Sequence, residues 1–353
     1  MLAARHFVLA AAVVLLLAGA SYARGAAAQS SPRYISDIQV DPRRPNVVYA
    51  GAGHHGVLKS TNGGQTWGAA NRGLKAPPAS PNWTLPGVPV DSIRVDALAL
   101  DARSPNVLYA GTGQGVYKTS DGAKTWKLAS DGIDLRDGNR HLLIEGAIYA
   151  LGIDPLHTST VYAAGMGGVW KTTTGGATWK RVLRYRVLSV AIDPRRPSTV
   201  YGSGMKRWPR STPRSSIYKT VDGGGTWRAS GPPGNYGDSI VVDRHRAGTI
   251  YAGGSRGLFA SANQGRTWRK LLSGTVNAIA LDPVRANVLY VGGWASGVVK
   301  SDDGGRTWSK LGLGIGSVST IAIAPTRPQT IFAGGEGIWK STDGGATWRR
   351  LIR

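Results

Sequence analysis

Hydrolysis of a glycosidic bond needs two carboxylates facing each other across that bond. A zinc site needs several His, Cys or carboxylate side chains converging on one point. Most aspartates of this chain are committed elsewhere, because they recur at two fixed places. Asp41, Asp101, Asp154, Asp193, Asp243 and Asp282 each open an Asp-Pro-like turn, and Asp121, Asp222, Asp303 and Asp343 each sit in a Gly-rich turn. A carboxylate repeated in this way serves a repeated turn, where it accepts hydrogen bonds from backbone N–H groups. The carboxylates left over are Asp37, Asp91, Asp96, Asp131, Asp134, Asp137, Asp238, Asp302, Glu145 and Glu336. Asp96 and Asp238 lie near one end of alternating apolar runs and are the candidates for acid–base work. Glu145 with Tyr149 is the one close Glu/Tyr pair, on a single strand, and Glu336 is isolated in a short loop. His54, His55 and Glu336 are the candidate metal set, although adjacent residues on a short turn point apart. Cysteine is absent, which excludes disulfides, thiolate metal sites and a cysteine nucleophile. No cofactor is expected.

The elements that must position these residues follow from an internal repeat. One nine-residue phrase recurs as KSTNGGQTW (59–67), KTSDGAKTW (118–126), KTTTGGATW (171–179), KTVDGGGTW (219–227), ASANQGRTW (260–268), KSDDGGRTW (300–308) and KSTDGGATW (340–348). A second phrase precedes each copy, from VDPRRPNVVYAG (40–51) to IAPTRPQTIFAGG (323–335). Each unit reads as four short strands separated by Asp-Pro, Asn-Gly and Gly-Gly turns. A unit of about 40 residues with four strands is one propeller blade.

A single blade cannot bury both its faces, whereas a closed ring of blades can. In the first strand of each unit one set of alternate positions is aliphatic (Ile38, Leu98, Leu151, Val190, Ile240, Ile279, Ile321). The positions between are mostly small (Ala97, Ala150, Ser189, Ser239, Ala278). That alternation lets neighbouring blades interlock where space is tightest. The expected fold is an all-β, seven-bladed β-propeller with four antiparallel strands per blade. Its blades span about 33–71, 91–130, 145–184, 185–230, 236–273, 274–312 and 316–353. The repeat is in phase with the blade, so no strand exchange between the termini is expected and closure rests on packing between blades one and seven.

The phrase KSTDGGATW carries the Asp-box, [ST]-x-D-x-G-x-T-W, and the chain resembles the Asp-box (BNR-repeat) propeller superfamily over residues 35–353. That group includes sialidases, xyloglucan hydrolases, sortilin-type receptors and the photosystem II stability/assembly factors. The count of seven and the KSTDGG wording look most like the assembly-factor type. The resemblance implies structural turn residues at Asn62, Asp121, Thr174, Asp222, Asn263, Asp303 and Asp343. Asn can still cap such a turn, Thr does so less strongly, and Ala123 stands where a glycine is usual. The sialidase pattern is not met: the chain has no Arg-Ile-Pro and only two glutamates.

Connections in an up-and-down blade alternate between two faces. The first and third turns, with the Asp-Pro and Asp-box phrases, share one face, and the other connections share the opposite one. The long insertions (68–92, 128–144, 203–216, 228–237) all fall on that second face. Variable loops on a rigid scaffold are where function concentrates. These loops and the adjoining strand ends carry the candidate binding residues Trp83, Arg94, Arg186, Arg207, Trp208, Arg210, Arg214, Arg256 and Trp294.

Lys and Arg total 43 against 20 Asp and Glu, for a formal charge of +23. Such a field draws anionic surfaces and polymers. Arg5 and His6, the apolar run from Phe7 to Ala18, and the small residues after it read as a signal peptide over 1–28, cut near Ala23 or Ala28. The expected protein is exported to the periplasm, cell envelope or medium. It is a monomer that binds a protein, a polyanion or a glycan, with a membrane surface as a further anionic partner. Nucleic acid is not an expected partner, because the chain reads as exported and shows no nucleic-acid-binding motif. The alternative is a glycoside hydrolase that uses carboxylates of the loop face.

Overall fold

The structure, a computed structural model, describes residues 34–75, 93–134, 148–205, 217–232, 237–293, 297–314 and 316–352. These form seven four-stranded antiparallel sheets, each built from strands consecutive in the chain. No helix occurs among the described residues.

The first strands of the blades are Asp37–Val40, Val95–Leu100, Ile148–Ile153, Arg186–Ile192, Gly237–Val242, Val276–Leu281 and Val318–Ile323. Each packs on the next, and the last packs on the first, so they surround the centre of the ring. The fourth strands are outermost and short: Gly68–Ala69, Lys127–Leu128, Lys180–Leu183, Arg228–Ala229, Arg269–Leu272, Ser309–Lys310 and Arg349–Ile352. They hold many cations and no carboxylate, which suits exposed edges that must not pair with another chain.

The core lies between blades. Tyr49 and Val57 of blade one pack with Val95, Leu98, Leu108, Tyr117 and Trp126 of blade two. Ile35, Ile38 and Val48 pack in the same way with Phe332 and Ile338 of blade seven. Each such side chain contributes about 1.5–3 kcal/mol by leaving water, and none can do so within its own blade.

The Asp-box turn is held by its own side chain. The Oδ1 of Asp121 accepts from Lys124 N (2.9 Å) and Thr125 N (3.0 Å), and Thr125 Oγ1 donates to Oδ2 (2.6 Å). In blade one the Asn62 amide replaces the carboxylate, accepting from Thr66 N (2.9 Å) and donating to Thr66 Oγ1 (2.8 Å). In blade three only a hydroxyl is available, and Thr178 N donates to Thr174 Oγ1 at 3.1 Å. Gly122 follows Asp121 with φ 72°, and Ala123 takes φ 65° beside it, a region that costs an L-residue about 1–2 kcal/mol.

One bond fixes which turns share a face. Gly63 N donates to Asn46 O (2.8 Å), so the first and third turns of blade one touch. The same bond joins Gly122 to Asn106, Gly175 to Ser159, Gly223 to Ser198, Gln264 to Gly248, Gly304 to Asn287 and Gly344 to Gln329. The loops of the second and fourth connections therefore lie at the other end.

Neighbouring blades are clamped by residues of the repeat itself. Lys118 Nζ (2.7 Å) and Tyr109 OH (3.1 Å) both donate to Gly175 O in the next blade's turn. Lys171 and Tyr162 do the same to Gly223 O, at 2.9 and 3.0 Å. In return Trp126 Nε1 donates to Ala70 O and Trp179 Nε1 to Ala129 O, both at 2.8 Å, in the preceding blade. Blade five has Ala260 in place of the lysine; there Arg246 contacts the Tyr251 hydroxyl and lies over its ring.

Closure repeats the clamp, since Lys340 Nζ donates to Gly63 O at 2.8 Å. Among the described residues no strand is exchanged between the termini. Packing is not the whole of it, however: Ile35 N donates to Gly335 O (2.8 Å), and Ser319 Oγ donates to Ile35 O (2.5 Å). The Val95 N to Gly53 O bond (3.0 Å) between blades one and two is of the same kind.

Candidate functional site

The insertion-loop end of the ring is framed by the starts of the first strands. Six of these strands shift register there, each leaving one extra residue: Asp96, Tyr149, Leu188, Asp238, Asn277 and Ser319. A β-bulge unpairs one residue and re-aims it, and bulges recur at barrel rims and functional sites. The position is always five residues before the Asp-Pro aspartate or its equivalent, Ala324. Four of these residues stand out in the sequence by a carboxylate, an amide or an aromatic ring. Leu188 and Ser319 do not, and the offset alone is the signal that finds them.

Arg94 and Asp96 form an ion pair, with Nε to Oδ1 at 2.7 Å. The Asp96 side chain is 9% exposed and that of Arg94 is 40%, so the carboxylate anchors a guanidinium whose outer part meets solvent. Arg186 of blade four lies over the Tyr149 ring of blade three, 5.7 Å from its centroid. A cation held over an aromatic face gains about 0.5–2 kcal/mol. The structure thus brings Arg94 to Asp96 and Arg186 to Tyr149, two pairs at neighbouring strand ends.

Deeper among the first strands, Asp37 Oδ2 accepts from Leu98 N (2.8 Å) and Gln39 Nε2 donates to Leu98 O (3.1 Å). Two side chains of blade one thereby pair with the inner edge of blade two, where no further strand exists. Burial pushes the Asp37 carboxyl up to about 6, against the lowering effect of the Leu98 N–H and Gln39. Part of its surface stays open, but protein atoms fill most of its surroundings. Ser189 makes a similar bridge, with Ile240 N donating to its Oγ at 3.2 Å.

The other candidates are more scattered. His54 and His55 lie in the short loop after the second strand of blade one, the second of them exposed. Glu336 is exposed in the corresponding loop of blade seven and bridges to Tyr34 through the backbone. Among the described residues no group of three or more His, Asp or Glu is arranged to hold a metal. Arg256 is placed between the second and third strands of blade five and borders a groove on the outer rim. Asp238 lies on the first strand of that blade. Trp83, Glu145, Arg207, Trp208, Arg210, Arg214 and Trp294 lie outside the described residues.

Seven four-stranded blades, clamped turn to turn and carrying a Gly-rich TW phrase in each, define a seven-bladed repeat propeller. The model of the family described as photosynthesis system II assembly factor YCF48 matches residues 75–352, and the chain belongs to that family. Among curated relatives, a xyloglucanase of Hypocrea jecorina is 25% identical over 161 residues, 42% of this chain and 18% of the enzyme. The chain thus spans about a fifth of that relative's length. Among solved structures, the GH74 xyloglucanase of Xanthomonas campestris superposes with a TM-score of 0.68 at 16% identity, covering 92% of this chain and 55% of that one. A structure described as YCF48 bound to D1 peptide superposes with a TM-score of 0.59 at 14% identity, covering 88% and 94%. At these identities the likeness to the solved structures is one of fold.

Proposed function

We propose that the chain is an exported, non-catalytic recognition propeller that holds a protein partner on its insertion-loop face. The observation that carries this reading is the pair of held guanidinium groups at the axial strand ends, Arg94 on Asp96 and Arg186 on Tyr149. Arginine preset on rigid strands, here one held by a carboxylate and one by an aromatic ring, is a residue that anchors protein interfaces. Family membership supports an assembly role, and the propeller that carries D1 peptide supports a peptide or protein ligand. Trp83, Arg207, Trp208, Arg210, Arg214 and Trp294 extend the same face in this proposal. The formal charge of +23 would steer an acidic partner toward it.

The test is capture of a partner from cell-envelope extract by the immobilised protein. Arg94→Ala/Arg186→Ala and Arg207→Ala/Trp208→Ala/Arg210→Ala variants should each lose the captured protein while still unfolding in one cooperative transition, the first at a lowered melting temperature because it removes the ion pair to Asp96. Retention by both variants would sink the assignment.

A second reading is a glycoside hydrolase, favoured by the similarity to a xyloglucanase. It requires turnover of xyloglucan or another glycan that disappears in Asp96→Asn or Asp238→Asn. A broad glycan panel without turnover would remove this reading.

A further inference from the structure

We infer that the seam between blades four and five is a second binding site, an outer-rim groove that takes a segment of an acidic polysaccharide. The groove has a volume of about 670 Å³ and is lined by Arg256, Phe259, Arg266, Trp268 and Lys270. Gly231 and Arg266 also border a second hollow of about 630 Å³, which adds Arg228. No carboxylate is among the described residues that line either.

One feature departs from the repeat at this seam, the cover over the third strand of blade five. The fourth strand of blade four is two residues long, as are those of blades one, two and six, and Gly231 and Pro232 beyond it border the groove. The residue at the Phe259 position is Leu58, Tyr117, Trp170, Tyr218, Val299 or Trp339 in the other blades, and none of these is more than 8% exposed. Phe259 is only half-buried, and beside it lies Trp268, half-buried as are Trp67, Trp227, Trp308 and Trp348 at its position in other blades. Departures from a repeat that leave aromatic surface uncovered call for a compensating role.

The lining selects the ligand class. Arg228, Arg256, Arg266 and Lys270 supply forked and point-like donors for carboxylates along a chain. Phe259 and Trp268 supply flat apolar surface on which the C–H face of a sugar ring can lie. Burial, with smaller contributions from Arg196 and Arg266, holds the Lys219 ammonium below the usual lysine range. A bilayer needs a protruding apolar surface, and this one is concave. Acidic sugar units repeat along a polymer, so a short groove gains from many equivalent registers.

The full chain is titrated with oligogalacturonate by calorimetry, with a maltooligosaccharide and an oligothymidylate as parallel probes. Oligogalacturonate should bind and the neutral sugar should not. Arg266→Gln/Lys270→Gln should weaken binding roughly tenfold or more, as loss of hydrogen bonds from charged donors does. Phe259→Ala should weaken it to a similar degree, and should this variant fail to fold, the surface double variant decides alone. Lys310→Gln/Arg349→Gln removes the same charge from the rims of blades six and seven and should leave binding unchanged. The inference is overturned by absence of binding, or by an equal loss in the Lys310/Arg349 variant. It is likewise overturned if oligothymidylate binds as tightly with the same dependence on Arg266, Lys270 and Phe259, which would make the groove a nucleic-acid site.

Discussion

Asp37 keeps its Oδ2 on the Leu98 N–H, and burial moves its carboxyl from 3.8 to about 6. Between those values the unfolded chain releases the proton first, so folding stability falls as pH rises from about 4 to about 6. An asparagine resembles the protonated acid and still offers an acceptor to Leu98. Asp37→Asn should match the wild type near pH 4 and exceed it by about 1 kcal/mol at pH 7.5 in denaturant titrations. The box aspartates act in the opposite sense. Asp121, Asp222, Asp303 and Asp343 are held below the usual carboxylate range, chiefly by hydrogen bonds from Thr and Ser hydroxyls and turn N–H groups. Their contribution is present above about pH 4 and lost as pH falls further, so acid should unfold the protein below that value. Legibility at this scale was uneven. A residue such as Arg94 or Tyr149 is noticed because its type is unusual at its place. Asp37 and Gln39 gave no such sign, because their role is to pair with the edge of another blade, sixty residues away in the chain.

The strands were legible because period-two burial and turn residues repeat in every unit. The clamps between them were not. Lys and Tyr of the phrases look like solvent-facing and core residues, and only the ring brings them onto the Gly carbonyl of the next turn. Lys118→Met removes one of two donors from Gly175 O and should cost about 1 kcal/mol. Lys340→Met should cost a similar amount, because the closing seam has the same chemistry. Arg246→Met should cost about twice as much, since it also strips the partner from buried Asp243. Backbone limits act at the same scale. Gly168 starts the third strand of blade three at φ 137°, where a Cβ would lie 1.9 Å from Leu183 O. Gly168→Ala should lower stability by about 3 kcal/mol or more, read as a fall in melting temperature.

For the whole molecule, seven sheets in one ring follow from counting phrases, and that count needed no contact information. That the first and third turns of a blade share one face also followed, from the alternation of connections. What counting could not supply was the rim groove, because it depends on how much of Phe259 its neighbours cover. Nor could it supply the backbone bond from Ile35 to Gly335 that supplements packing at closure. Since that seam is non-covalent and chemically like the others, the position of the chain ends around the ring should be unimportant. A circular permutant of residues 34–352, joined by a short linker and opened between Ser273 and Gly274, should fold with a single thermal transition. Loss of cooperative unfolding in the permutant would show that the native seam is special.

The bulged residues at the loop end share one backbone geometry but no two neighbours share a side chain: Asp96, Tyr149, Leu188, Asp238, Asn277 and Ser319. A visitor arriving along the axis meets a dial on which adjacent marks differ and only aspartate recurs. It can settle in one rotational setting only, so stoichiometry there should be one per chain even though the scaffold beneath has sevenfold pseudosymmetry.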